Sequence, residues 1–145
     1  MLFTDGYDVR LVRARNDYKC WACNEILPKG HKYAYPQCLD GKEIITTKLC
    51  EPCYVGLVSF CIEFDYDEFP PTDIIAENQV KSGDTVQLLD DGYGWYDNGF
   101  RLKDEQEWTI IDINRKSTNG MYAMLRKNDG NSTAYLLSNL IKVFN

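Results

Sequence analysis

The rhythm of apolar and polar positions changes twice along the chain. From Cys53 onward, Leu57, Phe60, Cys61 and Phe64 recur at helical spacing, which predicts a helix over Glu51–Glu63. Pro52 suits the first turn of that helix, while Gly56 weakens it slightly. Before it, Val9, Leu11 and Val12 alternate with Arg10, Arg13 and Arg15, so residues 1–15 read as an extended lead-in. Leu27-Pro28-Lys29-Gly30 is a turn signal. Residues 31–38 and 42–47 then read as a short hairpin turning at Asp40-Gly41.

After residue 80 the period shortens to that of strands. The pattern predicts strands over 85–89, 108–113, 121–125, 133–137 and 141–144. Alternation is clear in Trp108, Ile110 and Ile113, although Ile111 blurs it. Asn128-Asp129-Gly130-Asn131 is a hairpin turn, and Ser138-Asn139-Leu140 suits one tight helical turn before the last strand. A long loop over about 90–106 holds Tyr93, Trp95, Tyr96 and Phe100 beside Asp90, Asp91, Asp97, Asp104 and Glu105.

Between these two patterns lies an acidic stretch with Pro70-Pro71 at its centre. A proline pair cannot continue a helix and stiffens a chain. The expected organisation is therefore an N-terminal module over 1–64, a linker over 65–79 and an all-β module over 80–145. The fold class is α+β.

The chain has 145 residues, enough for one ordinary domain or two very small ones. Its net charge of −6 is uneven: residues 63–77 hold Glu63, Asp65, Asp67, Glu68, Asp73 and Glu77 with no basic residue. Such acidity argues against nonspecific nucleic-acid binding and suits an approach to a basic protein surface. No apolar run approaches the roughly 20 residues of a membrane span, and the first residues lack the features of a signal peptide, so a cytoplasmic, non-membrane protein is expected.

Six cysteines without an export signal favour metal over disulfides. Cys20-Trp21-Ala22-Cys23 and Cys50-Glu51-Pro52-Cys53 are paired C-x-x-C motifs, with 26 residues between Cys23 and Cys50. A tight turn lets both cysteines of a pair reach one ion, and two pairs complete a tetrahedron of thiolates, the closed coordination of structural zinc. One zinc ion on Cys20, Cys23, Cys50 and Cys53 is expected. Cys61 falls on the helix as a core residue, and Cys38 and His31 are minor candidates as ligands. Lys19, Lys29, Lys32 and Lys48 stand nearby to moderate the site's negative charge.

The order C-x-x-C, Ile26-Leu27-Pro28-Lys29-Gly30, hairpin, then C-x-x-C opening a helix resembles treble-clef and zinc-ribbon knuckles, especially those of small zinc proteins encoded in bacteriophages. The resemblance covers residues 14–62. The strand order of residues 80–145 resembles a small SH3-like barrel.

Catalysis is not expected. Histidine-based nuclease centres of treble clefs need several histidines, and the chain has one. The zinc-deaminase signature, a phosphate-cradling loop and a G-x-S-x-G elbow are all missing. Four thiolates leave no open coordination position. No small-molecule substrate is expected. The first reading is a zinc-stabilised interaction protein, phage-type, that binds and modulates or inhibits a host protein or protein–nucleic-acid machine, its acidity imitating nucleic acid. Its contacts would be Asp65, Asp67, Glu68, Tyr93, Trp95, Tyr96 and Phe100. The alternative is a nucleic-acid-binding accessory factor, with contacts from Arg10, Arg13, Arg15, Lys19, Trp21 and Lys48, Tyr18 and Trp21 stacking on bases.

Overall fold

The computed structural model describes residues 11–35, 37–40, 43–65, 70–89 and 102–144; for 37–40 and 43–46 it describes the backbone alone. The lead-in becomes β1 (Leu11–Arg13), which pairs antiparallel with β4 (Lys32–Ala34) and sets Val12 opposite Tyr33. Between them lies a second small ribbon, β2 (Tyr18–Lys19) against β3 (Ile26–Leu27), with Tyr18 opposite Leu27. β5 (Gln37–Asp40) and β6 (Glu43–Thr46) form a hairpin, with Asp40 opposite Glu43; it is shorter than the one expected over 31–38 and 42–47, because residues 32–34 pair with β1 instead.

Helix α1 spans Glu51–Glu63. Cys50 precedes it in an extended conformation, and proline occupies the first turn, where its missing N–H costs nothing. The helix ends at Phe64, and Asp65 turns the chain with a left-handed φ of 48°. Its residues from Glu51 through Ser59 are all buried. A helix apolar all round belongs in the middle of a core. α1 is enclosed by β4, by α2 (Thr72–Glu77), by a single 3-10 turn (Leu137–Asn139) and by β11 (Leu140–Lys142).

The remaining strands are β7 (Thr85–Leu88), β8 (Trp108–Asn114), β9 (Tyr122–Arg126) and β10 (Ser132–Leu136). With β11 they form one antiparallel sheet in the order β10-β9-β8-β7-β11. Four strands meander, and the fifth returns to pair with the first. A β-bulge between Ile110 and Asp112 explains why Ile111 disturbs the alternation: it is the extra residue, and it is exposed. No described helix is long and apolar enough to cross a membrane.

Packing does not follow the division at 65–79. Residues after the proline pair form α2, whose Ile75 is fully buried, and Val80 behind it is equally buried. The Val80 N–H donates to the Pro52 carbonyl at 3.1 Å. α2 and its exit lie so close to α1 that a Cβ on Gly56 would sit 2.4 Å from the Asn78 carbonyl oxygen. Gly56 is therefore required by a close approach. At the other end of α1, the Lys142 N–H donates to the buried Ser59 hydroxyl at 2.8 Å. Buried residues from both halves, among them Tyr33, Leu49, Leu57, Ile75, Val86, Ile110, Leu125 and Leu140, form one continuous apolar cluster.

Candidate metal centre

The first cysteine pair is shaped by its backbone. The Cys20 N–H donates to the Glu25 carbonyl at 2.8 Å, and the Asn24 N–H donates to the Cys20 carbonyl at 3.0 Å. Asn24 adopts a left-handed φ of 64°, a conformation asparagine tolerates. These bonds curl residues 20–24 into a knuckle between β2 and β3. The second pair is shaped by α1: Cys50 immediately precedes the helix and Cys53 lies in its first turn.

Two further sets of bonds bring the pairs together. The Trp21 N–H donates to the Lys48 carbonyl at 2.7 Å, and Ala34 and Leu49 exchange backbone bonds at 2.9 Å. As a result the four sulfur atoms of Cys20, Cys23, Cys50 and Cys53 all lie within 4.8 Å of one another. The Cys23 and Cys50 sulfurs are 3.7 Å apart. Four sulfurs at zinc–thiolate distance, tetrahedrally placed, would be spaced about 3.8 Å. A disulfide would require about 2.05 Å, and the described cysteines are free thiols. The cluster can hold a metal ion. Cys20, Cys50 and Cys53 are buried and Cys23 is half-buried, so most of the site is sheltered from water.

The electrostatics suit cation binding. Hydrogen bonds from the Cys50 and Cys53 thiols, with smaller help from backbone N–H groups, hold the Cys20 thiol far below its ordinary range. Those two donors are correspondingly raised, and burial raises Cys23. A divalent cation binding here would take the place of the thiol protons. The start of α1 adds its positive end at Cys50 and Cys53. The Gln79 side-chain amide donates to the Cys50 sulfur at 3.7 Å and to the Cys23 sulfur at 4.0 Å. Within the second motif, Glu51 is almost fully buried; its Oε2 accepts from the Met121 N–H at 2.8 Å. Burial pushes its carboxyl up to about 7, against the opposing pull of the Met121 N–H.

Among the other expected residues, His31 lies outside the thiol cluster and Cys61 is buried in α1. Asp65 is exposed at the end of α1. Asp67, Glu68, Tyr93, Trp95, Tyr96, Phe100 and Arg10 lie outside the described residues, and of Cys38 only the backbone is described.

The basic set divides. Arg13, Arg15 and Lys48 line one groove of about 810 Å³ with Tyr18, Tyr33 and Tyr35. Lys19 and Trp21 are not part of its lining. Tyr33 meets Tyr18 edge-to-face at 5.8 Å and Tyr35 at 6.2 Å. The Lys48 ammonium lies 4.8 Å over the Tyr18 ring and 5.8 Å over that of Tyr35. Arg13 is tied down: its guanidinium donates to the carbonyls of Gly30 at 2.6 Å and Thr118 at 3.1 Å, and to Asn119 Oδ1 at 2.8 Å.

Sequence reasoning missed Gln79, Glu51, Tyr33 and Tyr35. The first two carry no motif of their own. Tyr33-Ala34-Tyr35 did carry a signal, because alternate residues of a strand share a face. No protein-family model matches the chain, and no curated protein or solved structure matches it either.

Proposed function

We propose that Cys20, Cys23, Cys50 and Cys53 hold one structural zinc ion, and that the protein is a zinc-stapled binding protein acting without turnover. The observation that carries this reading is the convergence of four thiols into one cluster, all within 4.8 Å of one another and one pair at 3.7 Å. Zinc suits four thiolates, and a four-thiolate shell has no open position for a water or substrate. The ion's role is then to fix the knuckle against α1, which in turn supports the sheet. The knuckle, the hairpin and the helix carrying the second pair support a treble-clef-like reading of the first part. The strand order with a 3-10 turn before the last strand supports an SH3-like reading of residues 80–145.

Elemental analysis and turnover assays test the reading together. One zinc per chain, with no hydrolysis of nucleic acid or peptide by the loaded protein, is the expected result. Metal-dependent turnover that survives purification to homogeneity would overturn it.

The partner is proposed to be another macromolecule. Within the narrower reading, a phage-type inhibitor of a host machine, the acidity of residues 63–77 suits approach to a basic surface. The reading as a nucleic-acid-binding accessory factor is favoured by a specific observation: four of its seven expected basic and aromatic contacts, Arg13, Arg15, Lys48 and Tyr18, line a single groove with Tyr33 and Tyr35.

A further inference from the structure

We infer that the groove framed by β1, β2 and β4 binds a short stretch of single-stranded nucleic acid, Tyr18 and Tyr35 stacking on bases while Arg15 and Lys48 meet phosphates. This rests on the reading of the chain as a binding protein and names its partner; it does not depend on which metal the thiols hold.

Arg13, Arg15 and Lys48 line the groove, and no acidic side chain does so among the described residues. Arg13 spends its guanidinium on Gly30, Thr118 and Asn119, so it holds the groove wall to the β8–β9 connection. Arg15 is exposed, which leaves its charge to face a ligand, and Lys48, packed over the Tyr18 and Tyr35 rings, adds its positive charge to the same groove. Residues 11–35 carry Arg13, Arg15, Lys19, Lys29 and Lys32 against Asp17 and Glu25 alone, so this part of the chain is basic although the whole is acidic. Exposed charges are screened beyond about 8 Å at physiological ionic strength, so the local balance decides what approaches the groove.

The rings then choose among polyanions. Tyr18 and Tyr35 are half-buried, with Tyr33 behind them as a buried support. Aromatic faces beside cations are the arrangement that binds unpaired bases, because every base has a π-face to offer. In a duplex those faces are covered by neighbouring base pairs, and a concave groove cannot reach them. The cation–π packing of Lys48 also holds the two rings in place before the ligand arrives, which lowers the ordering cost of binding.

The test uses the full-length, metal-loaded protein and fluorescence anisotropy. The probes are a labelled oligothymidylate of about 12 nucleotides, within the usual span of such grooves, a duplex of the same length and a polyglutamate peptide. Saturable binding of the single strand, about tenfold or more tighter than the duplex, is expected at physiological salt. Tyr18→Ala and Tyr35→Ala should each weaken it by about tenfold, given 1–3 kcal/mol per stacked base, whereas Tyr35→Phe should retain it. Arg15→Gln and Lys48→Gln should each reduce the slope of log affinity against log salt by about 0.7. Arg15 is exposed, so its variant tests the groove even where a tyrosine variant loses its fold, which metal content reports. Absence of saturable single-strand binding overturns the inference. Binding undiminished in every groove variant also overturns it while leaving the binding-protein reading intact. Polyglutamate bound as tightly as the oligonucleotide overturns it in favour of an acidic protein partner.

Discussion

The carboxylate of Glu51, between the two cysteines of the second pair, accepts a hydrogen bond at 2.8 Å from the backbone N–H of Met121, 70 residues further along the chain. It joins the start of α1 to the entry of β9. Glu51 is buried and Met121 half-buried, so the carboxylate has no easy replacement partner. Glu51→Ala should lower stability by about 1–3 kcal/mol, the usual cost of leaving a sheltered donor unsatisfied. Glu51→Gln, which keeps an acceptor oxygen, should cost clearly less. Equal losses in the two variants, measured by urea denaturation, would show that the bond to Met121 contributes nothing.

The same connection predicts how the protein comes apart. Because α1 lies in one apolar cluster with the five-stranded sheet, removing the metal should loosen both. Trp108 is buried in that sheet. Its near-ultraviolet signal should fall in step with metal loss on titration with a chelator. A full Trp108 signal after complete removal of metal would mean that the sheet stands alone, as the proline-centred segment suggests when read as sequence.

A third expectation concerns the contact between α1 and α2. Gly56→Ala places a methyl group 2.4 Å from the Asn78 carbonyl oxygen, a backbone atom that cannot rotate away. Although alanine is the better helix former by roughly 1 kcal/mol, overpacking should dominate and destabilise the protein by about 1–3 kcal/mol. Thermal denaturation of the metal-loaded variant checks the sign. A raised midpoint would show that α2 is free to move aside.

Much of this architecture can be read from residues alone, and the exceptions have physical causes. Helix α1 is legible because its apolar positions are dense and Pro52 marks its start. The five strands of the sheet are legible because their alternation is strong and their turns carry glycine and asparagine. Helix α2 is not: it has six residues, too few for a period, and only Ile75 points fully inward, so the acidic residues around it dominate the pattern. The continuity of the core is equally hidden, because a helix buried on all sides shows no amphipathic stripe to say what covers it. The four cysteines announce themselves by spacing, whereas Gln79 reaches Cys50 only through the folding of α2.

The central claim is that four named thiols hold one zinc ion, and metal content measured on cysteine variants tests it most directly. The purified protein should contain close to one zinc per chain. Cys20→Ser and Cys53→Ser should reduce that content severely, since each removes one of four ligands and the bound ion supplies folding energy. Cys61→Ser, altering a buried cysteine outside the cluster, should leave it close to one. Falling pH should release the ion from the unaltered protein as protons compete for the thiolates. Zinc content near zero in protein prepared without chelator, or full content retained in Cys20→Ser and Cys53→Ser together, would contradict the account.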